Sequence, residues 1–437
     1  MRELSSPENW KAGSIASEPI AVCKSPDARK ITVGHPSLLA LSSGRLIAAF
    51  DYQGPGLGKL KGKKGKSNRT GHWVQGQIAV STDKGQTWLN KHDYPSGCGR
   101  LFSIGANIYL PGYTNGLQIM RSGDGGEDWS KPENITPQNQ RHSSYAGGPP
   151  SVLITDDEIR ILAFNLPNEN SRGDICDLLV PTLLQAKCGT NLQSGKNWKS
   201  ENPGPIFSEI IDMQNAAALG APIFSVAEGS RERNISSGRW AGHPGWSNPH
   251  LLRIQDRLHP WQKSDRSVFH MLTRASIHRA NCAVLTRIES DSSGSLHFTK
   301  QSTPCGSHFS LLPLPGGHLP FEVFYDDKSE RFWLISNTAD NSMIAPRNLP
   351  PTHAGLPCEQ RTQLQIHFSR NLVDWNFAGI AANASQDNFI SIHEPAAVTL
   401  GEDMHIVARA SDSAAKNERD SNNIVFMTLP NFRELIY

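Results

Sequence analysis

Short apolar runs separated by polar, glycine-containing turns recur along the whole chain. Residues 34–50 show the pattern, with an apolar run at 37–41, the turn Ser43-Gly44, and a second apolar run at 46–50. A second copy spans 394–409, and a third begins at Pro249 and has a longer polar turn before its second run at 268–274. Apolar runs of this length around a glycine turn predict β-hairpins, whereas few stretches show a helical period. The pattern therefore predicts an all-β protein built from repeated hairpins.

A second repeat indicates the size of the unit. Residues 81–88 (Ser-Thr-Asp-Lys-Gly-Gln-Thr-Trp) and 122–129 (Ser-Gly-Asp-Gly-Gly-Glu-Asp-Trp) share the pattern Ser-x-Asp-x-Gly-x-x-Trp. In such a turn the aspartate accepts from turn amides, the glycine takes a positive φ, and the tryptophan packs beneath. Weaker copies lie at 369–375 and 194–198. Units of about 40–60 residues predict a β-propeller of six or seven four-stranded antiparallel blades, with six favoured.

The composition agrees with a turn-rich fold and excludes some partners. The 437 residues include 37 Gly and 29 Pro, and only 19% are charged. Lys and Arg (43) nearly balance Asp and Glu (41), which leaves a net charge of +2. The overall charge therefore gives no attraction to a phosphate backbone, and no apolar run is long enough to cross a bilayer. We predict no nucleic-acid partner and no membrane span.

The chain is predicted to form one domain. Residues 1–25 are interpreted as an N-terminal arm and residues 26–437 as a single propeller. The N-terminus shows no apolar core of a secretory signal, and the seven cysteines have the spacing of neither a disulfide framework nor a zinc site. These features predict a cytoplasmic protein without metal or cofactor. If a signal sequence is missing from this chain, a secreted or periplasmic protein is expected instead.

The two octapeptides resemble the Asp-boxes of the sialidase-like superfamily of β-propellers, also called BNR-repeat proteins. Residues 315–318, 321–326, 331–337, 421–426 and 432–433 also resemble bacterial exo-sialidase-like members of that superfamily. The resemblance covers most of residues 30–435 and implies a propeller fold. Because Asp-boxes also occur in non-catalytic propellers, they imply no activity by themselves.

Catalytic members of the superfamily carry an Arg-Ile-Pro motif, whose arginine begins a three-arginine clamp on the substrate carboxylate. The resemblance aligns Gly34-His35-Pro36 with that motif, so Gly34 stands where the arginine is expected. The family's catalytic aspartate should follow, but no aspartate lies between residues 52 and 82, and Asp51 comes too early for the family spacing. Glu394 and Arg409 suit the later Glu and Arg roles. This chain therefore departs from the catalytic pattern of the superfamily that it resembles.

Three histidines and one glutamate are candidate catalytic residues. His35 and His243 share the frame Gly-His-Pro, and His318 follows a glycine pair. The inner strands of a propeller begin at its ligand-binding mouth, where an imidazole can exchange protons near pH 7. The alternative is a structural histidine that binds a turn backbone. Glu394, which precedes Pro395, is expected to act as a base or to hold an arginine.

Three arginines are candidates for binding an acidic substrate. Arg274 and Arg409 each close an apolar strand in the similar segments 269–276 and 404–411, and Arg361 precedes the predicted strand 362–366. A charge at such a position needs solvent or a partner. At the mouth, arginines from separate blades can bind a sugar carboxylate through paired hydrogen bonds. Ion pairs between blades are the structural alternative.

Aromatic and basic residues add to the predicted binding surface. Tyr145, in a glycine- and proline-rich segment, and Trp246, close to His243, are candidates for stacking on a sugar ring. The segment 58–69 carries six positive charges. It predicts either a solvated loop or an arm that attracts an acidic glycan.

Three functions remain open from the sequence. The first is a carbohydrate-active enzyme, an exo-acting glycoside hydrolase of the sialidase-like superfamily whose partner is an acidic oligosaccharide or glycoconjugate. The second is a polysaccharide lyase that removes a proton beside a uronate with a His base and an Arg neutraliser. The third is a non-catalytic glycan- or protein-binding propeller, in which His35, His243 and His318 do not converge.

Overall fold

Six antiparallel sheets form the blades of a β-propeller, which confirms the predicted fold class and gives six blades rather than seven. The computed structural model describes residues 13–67, 70–136, 144–155, 157–167, 178–200, 203–211, 245–263, 267–275, 280–291, 295–303, 305–339 and 360–437. Among these residues no helix is long and apolar enough to cross a membrane. A short helix, Phe207–Ile210, and a few 3-10 turns lie between the strands.

The first three blades follow the chain, each with its inner strand first. The N-terminal strand β1 (Ile20–Lys24) is an exception, because it belongs to blade 6. Blade 1 contains β2 (Thr32–Ala40), β3 (Leu46–Gln53), β5 (Trp73–Ser81) and β6 (Leu89–Tyr94), with β4 (Gly65–Lys66) paired to β5. Blade 2 contains β7 (Phe102–Ile104), β8 (Asn107–Tyr113), β9 (Leu117–Ser122) and β10 (Glu133–Asn134). Blade 3 contains β11 (Ser144–Thr155), β12 (Glu158–Leu166), β13 (Val180–Lys187) and β14 (Lys199–Ser200).

The last three blades repeat this order. Blade 4 contains β15 (Trp246–Leu252), β16 (Phe269–Ala275), β17 (Cys282–Ser290) and β18 (Leu296–Thr299). The hairpin β19 (Gln301–Ser302) and β20 (His308–Phe309) follows, and β21 (Leu311–Pro313) pairs with β17. Blade 5 contains β22 (Glu322–Asp326), β23 (Arg331–Asn337), β24 (Gln363–Ser369) and β25 (Asn376–Asn383). Blade 6 contains β26 (Ser391–Leu400), β27 (Asp403–Ser411) and β28 (Asn423–Leu429).

The two ends of the chain close the ring within blade 6. Strand β1 pairs antiparallel with β28 and becomes the outer strand of that blade. The backbone N–H of Ser17 also donates to the carbonyl oxygen of Thr428, at 2.8 Å. Part of the segment 1–25 that the sequence assigned to an arm is thus a strand of the propeller.

Apolar side chains fill the spaces between neighbouring blades. One buried cluster lies at each of the six blade-to-blade contacts, and blades 6 and 1 share one around Val33, Phe50 and Phe426. A middle strand such as β3 is therefore buried on both of its faces. This explains why its sequence is a continuous apolar run instead of an alternating one.

The Ser-x-Asp turns join the third and fourth strands of their blades. Asp83 Oδ1 accepts from the backbone N–H of Thr87 at 2.9 Å and from the Ser81 hydroxyl at 2.8 Å. Trp88 Nε1 donates to the carbonyl oxygen of Gly85 at 3.1 Å. These bonds hold the turn closed from within, so the motif acts as a structural staple.

The same turn recurs in blades 2 and 5. In blade 2, Asp124 and Trp129 repeat the contacts of the first turn. In blade 5, Asn371 replaces the aspartate, and Leu372 replaces the glycine at a φ of 66°. Trp375 Nε1 still donates to the carbonyl oxygen of Leu372, at 3.2 Å. The weak sequence copy at 369–375 is therefore a complete turn.

Four inner strands carry a bulge near the same end, and in three of them a residue other than glycine adopts the left-handed conformation there. The pairing register shifts at His35 in β2, at Asn248 in β15 and at Glu394 in β26. All three residues adopt left-handed backbone conformations, with φ of 50°, 51° and 51°, and a proline follows each of them. A bulge turns a side chain away from the ladder, so these residues are directed differently from their neighbours in the strand.

A buried ion pair links two opposite blades across the axis. Arg100, just before β7, makes a two-pronged contact with Glu322 at the start of β22, and one of its hydrogen bonds is 2.9 Å long. Both residues line a narrow axial cavity of about 30 Å³. Every blade except blade 2 also contributes one or two prolines to the lining of this cavity. They are Pro36, Pro149, Pro150, Pro249, Pro320 and Pro395.

We expect Arg100→Met to lower the free energy of unfolding by about 3–5 kcal/mol, because it leaves the buried Glu322 carboxylate without its partner. The double variant Arg100→Met/Glu322→Leu should recover most of that loss. Lys328→Met removes an exposed ion pair with Glu402 and should change stability by less than about 1 kcal/mol. Denaturant unfolding of the four proteins measures these values. Equal losses in the single and double variants would contradict the assignment.

Buried histidines make the fold sensitive to acid. Burial lowers the pKa of His250, His270 and His367 to about 4. His250 Nε2 donates to the carbonyl oxygen of Phe321 at 2.8 Å, and His270 Nε2 donates to the side chain of Gln301 at 2.9 Å. These imidazoles are neutral in the folded protein at pH values where the unfolded chain binds a proton.

Stability should therefore fall as the pH drops from about 6.5, the unfolded pKa of histidine, to about 4, its folded pKa at these sites. The buried His270 alone should account for a loss on the order of 3 kcal/mol over that window. Urea unfolding at several pH values, on the wild type and on His270→Gln, measures this contribution. The variant should show a smaller pH dependence, and identical slopes would refute the assignment to His270.

Candidate functional site

A chain of polar contacts joins blades 6 and 1 at the mouth of the propeller. His35 Nδ1 donates to Asp51 Oδ2 at 3.0 Å, and His35 Nε2 lies 3.9 Å from Glu394 Oε1. Arg409 Nη1 donates to the other oxygen of Glu394 at 2.7 Å. His35 and Glu394 are two of the bulge residues, whereas Asp51 and Arg409 lie near the ends of β3 and β27. The fold thus places two carboxylates, an imidazole and a guanidinium in one cluster.

Charge and burial tune these groups. Burial alone would lower the pKa of His35, but the nearby Cys98, Asp51 and Glu394 outweigh it and raise that pKa well above 6.5. Burial disfavours the charge on Asp51, but His35 and the hydrogen bonds from Cys98 and Gln53 lower its pKa below the usual value. His35 and Asp51 therefore form a charged pair at neutral pH.

A turn from blade 2 completes this cluster. The backbone N–H of Cys98 donates to Asp51 Oδ2 at 2.7 Å. Cys98 has a φ of 54° and lies between Gly97 and Gly99. The turn is tightly packed, because a Cβ on Gly97 would lie 2.6 Å from Val74 and 2.8 Å from Asp51 Oδ2. The glycine is required for Cys98 to approach the carboxylate.

The positive charges of four arginines act on the buried imidazole of His393, next to Glu394. Burial and the charges of Arg409, Arg361, Arg274 and Arg419 hold the pKa of His393 well below 6.5. The imidazole is therefore neutral. Its Nε2 shares a hydrogen bond of 3.1 Å with the hydroxyl of Ser421 in blade 6. The three arginines named from the sequence come from blades 4, 5 and 6, and the charges of all three lower the pKa of His393. Arg419 is a fourth that the sequence did not suggest.

Gly34 faces the same cluster. A Cβ at this position would lie 3.6 Å from Asp51 Oδ1 and 3.7 Å from Arg409 Cζ. A side chain at the position aligned with the missing family arginine would thus begin in van der Waals contact with Asp51 and Arg409.

The three candidate histidines are not equivalent. His35 lies between Asp51 and Glu394, as described above. His318 is buried, and it accepts a hydrogen bond from the backbone N–H of Asn281 at Nδ1, 3.3 Å away, while its carbonyl oxygen accepts from Arg274 Nε at 2.8 Å. His318 thus positions Arg274. His243 lies outside the described residues.

A cavity of about 440 Å³ opens beside the cluster. Cys98, Tyr113 and Tyr145 line one side of it, and the tip of the β4–β5 hairpin, including Trp73, lines the other. The rings of Tyr113 and Tyr145 lie 6.1 Å apart, and both are buried. The basic segment 58–69 leads into this hairpin, and Ser67 of that segment lines the cavity. The proposed contact of Tyr145 with a sugar stays a prediction.

Trp246 is a core residue, and the expectation that it stacks on a sugar is corrected here. Its side chain is fully buried between blades 3 and 4, where its ring stacks on Phe164 with centroids 6.1 Å apart. Its Nε1 donates to the carbonyl oxygen of Pro205 at 3.0 Å. The neighbouring glycine–proline frame suggested the mouth, but the large apolar ring is stabilised far more by burial.

One group of side chains in the described residues has the composition of a metal site. The donor atoms of His35, Asp51 and Cys98 all lie within 4.8 Å of one another. The sequence did not predict this group, because the three residues come from two blades and do not have the spacing of a metal-binding motif. Asp51 was set aside because it comes too early for the family spacing, but the pairing of Gly34 with Asp51 across β2 and β3 brings it to the mouth.

Solved structures with a similar fold include sialidases and arabinan-degrading enzymes. An α-L-arabinanase from Penicillium chrysogenum, complexed with arabinobiose, is 10% identical, with a TM-score of 0.50, and the match covers 95% of this chain and 98% of that one. A Trypanosoma rangeli sialidase mutant with trans-sialidase activity is 10% identical, with a TM-score of 0.53 and coverages of 98% and 61%. A Hadza microbial sialidase is 12% identical, with a TM-score of 0.52 and coverages of 94% and 68%.

These similarities establish the propeller fold, because sequence identities this low carry the fold alone. No protein-family model matches the chain, and no curated protein sequence matches it.

We expect Gly97→Ala to destabilise the protein by about 1–3 kcal/mol, because the added methyl group overlaps Val74 and Asp51. Gly189→Ala is the matched control, since nothing lies within 4 Å of a Cβ at that position. Thermal unfolding compares the two variants with the wild type. If Gly97→Ala is as stable as Gly189→Ala, the Cys98 turn does not pack against Asp51 as described.

Proposed function

We propose that this propeller is a carbohydrate-active enzyme that cleaves a glycosidic bond next to an acidic sugar. The observation that carries the proposal is that the charges of Arg274, Arg361 and Arg409 all act on His393, while Arg409 pairs with the adjacent Glu394. Three blades each supply one of these guanidinium groups; Arg361 is buried, and Arg274 and Arg409 are partly buried. Such a set suits a carboxylate, which accepts paired hydrogen bonds from the planar forks.

The neutral state of His393 supports an anionic ligand. A protonated imidazole there would add a further positive charge to the four arginines, and burial would make that repulsion strong. Glu394 forms an ion pair with Arg409 at 2.7 Å. A substrate carboxylate would add a second anionic partner to this cluster of positive charges.

Glu394 and His35 are positioned for the chemistry. Glu394 is held by Arg409 and presents its carboxylate beside the arginines. This carboxylate would stabilise the positive charge that develops on the sugar ring. His35, held by Asp51, lies beside Glu394 and would move a proton to or from the glycosidic oxygen. The side-chain partners on each residue fix its orientation, as a positioned acid–base group requires.

The similar structures support the class of reaction. One of the three proteins described above is named an arabinanase and the other two are named sialidases. Both names denote glycoside hydrolases. The Ser-x-Asp turns with their closing tryptophans also favour the sialidase-like, Asp-box branch of propellers. Because Gly34 replaces the family arginine, we propose an acidic sugar as the substrate and leave sialic acid as one member of that class.

Turnover of fluorogenic glycosides tests the proposal. The umbelliferyl glycosides of N-acetylneuraminic acid and glucuronic acid should be better substrates than that of arabinofuranose. Arg409→Lys should raise KM for the acidic substrate by about tenfold to a hundredfold, because the variant loses one charge-assisted hydrogen bond to the substrate. Arg121→Lys, an exposed arginine that contacts Asn107 far from the mouth, should leave KM unchanged. Equal turnover of acidic and neutral glycosides would exclude the assigned specificity.

A lyase is the second candidate, because an imidazole near several arginines also suits removal of a proton beside a neutralised carboxylate. A lyase would release an unsaturated uronate that absorbs ultraviolet light, whereas hydrolysis creates no such chromophore. Glycan binding without release of either product would favour the non-catalytic alternative.

A further inference from the structure

We infer that His35, Asp51 and Cys98 bind a divalent transition-metal ion of the zinc class at the mouth of the propeller. Their imidazole nitrogen, carboxylate oxygen and sulfur lie within 4.8 Å of one another. Asp51 is fully buried, and the other two are partly buried. The inference concerns metal binding only and does not depend on the proposed glycosidase activity.

The donor set suits such an ion in charge and in chemistry. A carboxylate and a thiolate together neutralise a divalent cation, and a mixed nitrogen, oxygen and sulfur set favours zinc and its neighbours over magnesium or calcium. Tetrahedral bonds of about 2.0–2.3 Å put donor atoms roughly 3.3–3.8 Å apart. The three donors therefore need to approach by no more than about an ångström and a half to enclose an ion.

The geometry favours a chelate over a nucleophilic triad. In a triad the imidazole separates the nucleophile from the carboxylate, which places these two groups roughly 7 Å apart. Here the sulfur of Cys98 lies within 4.8 Å of an oxygen of Asp51. Moreover, Asp51 Oδ2 accepts both from His35 Nδ1 and from the backbone of Cys98. The three side chains face a common point instead of forming a relay.

Two of the three ligands, His35 and Cys98, have an unusual backbone conformation. His35 and Cys98 have φ of 50° and 54°, in the left-handed region that residues other than glycine rarely adopt. A Cβ on Gly99 would lie 2.7 Å from the hydroxyl of Tyr94, so this turn is packed from both sides. Strained residues held in place by dense packing are typical of functional sites. The surroundings thus hold the ligands near one another before an ion arrives.

The fourth coordination position would face open space. Cys98 and Tyr113 line the cavity of about 440 Å³ described above, so a water molecule or an oxygen of a ligand can reach the ion. A site with three protein ligands and one open position is the arrangement of catalytic zinc. A metal on one ring nitrogen of His35 excludes a proton from that nitrogen, so metal binding would compete with the proton transfer proposed above.

Cobalt binding to the full-length chain, stripped of metal by a chelator and kept reduced, tests the inference. One equivalent of Co²⁺ should produce the near-ultraviolet charge-transfer band of a thiolate–cobalt bond, and Zn²⁺ should displace it. The background for all proteins is Cys305→Ser, because Cys305 is an exposed thiol whose pKa is lowered to about 7 by hydrogen bonds. In this background Cys98→Ser should lose the band, and Asp51→Asn should weaken Co²⁺ binding at least about tenfold.

Cys188→Ser is the matched control, because it removes another partly exposed thiol outside the cluster; it should keep the band. A second measurement needs no variant at the site. Zn²⁺ should protect Cys98 of the wild type from alkylation by iodoacetamide, read by peptide mass spectrometry, and should not protect Cys188. The inference is overturned by a missing band, by a band that survives Cys98→Ser, or by alkylation of Cys98 at the same rate with and without Zn²⁺.

Discussion

Inner strands of the propeller leave their hydrogen-bonded ladder at a bulge, and two central residues of the candidate site lie at such bulges. His35 and Glu394 each occupy a bulge with a left-handed backbone, and a proline follows each. A proline has no N–H to give to the ladder, so the register shift leaves no donor unsatisfied at that position. The side chain before it is thereby directed into the mouth. Because the bulges belong to the strand geometry of the blades, the chemistry depends on backbone conformation as much as on residue type.

Two charge systems meet at these bulges. On one side, four arginines act on a neutral His393; on the other, Asp51 holds His35 and the backbone of Cys98. The ion pair between Arg409 and Glu394 connects them. Since the groups are largely buried, each charge acts strongly on its neighbours. A ligand that neutralises one system therefore changes the protonation and the orientation of the other.

The sequence predicted what is encoded locally. Hairpins such as 34–50 follow from apolar runs around a glycine turn, and the arginines at strand ends follow from the repetition of a whole strand. Contacts between blades have no such signal, which is why Cys98 was missed and why Asp51, judged by family spacing, was set aside. Trp246 shows the opposite error: its neighbours in sequence indicated the mouth, whereas packing against Phe164 placed it in the core. The turn at 369–375 was underrated because Asn371 and Leu372 can replace the usual aspartate and glycine.

The pairing of β1 with β28 has a consequence for biosynthesis. Blade 6 contains the first strand of the structure and the last one, so the ring cannot close until the ribosome has released nearly the whole chain. Glu394 and Arg409 lie in that blade, whereas His35 and Asp51 lie in blade 1, which is made early. A nascent or C-terminally shortened chain therefore carries half of the cluster without the other half. The cluster is therefore complete only when blade 6 has formed beside blade 1.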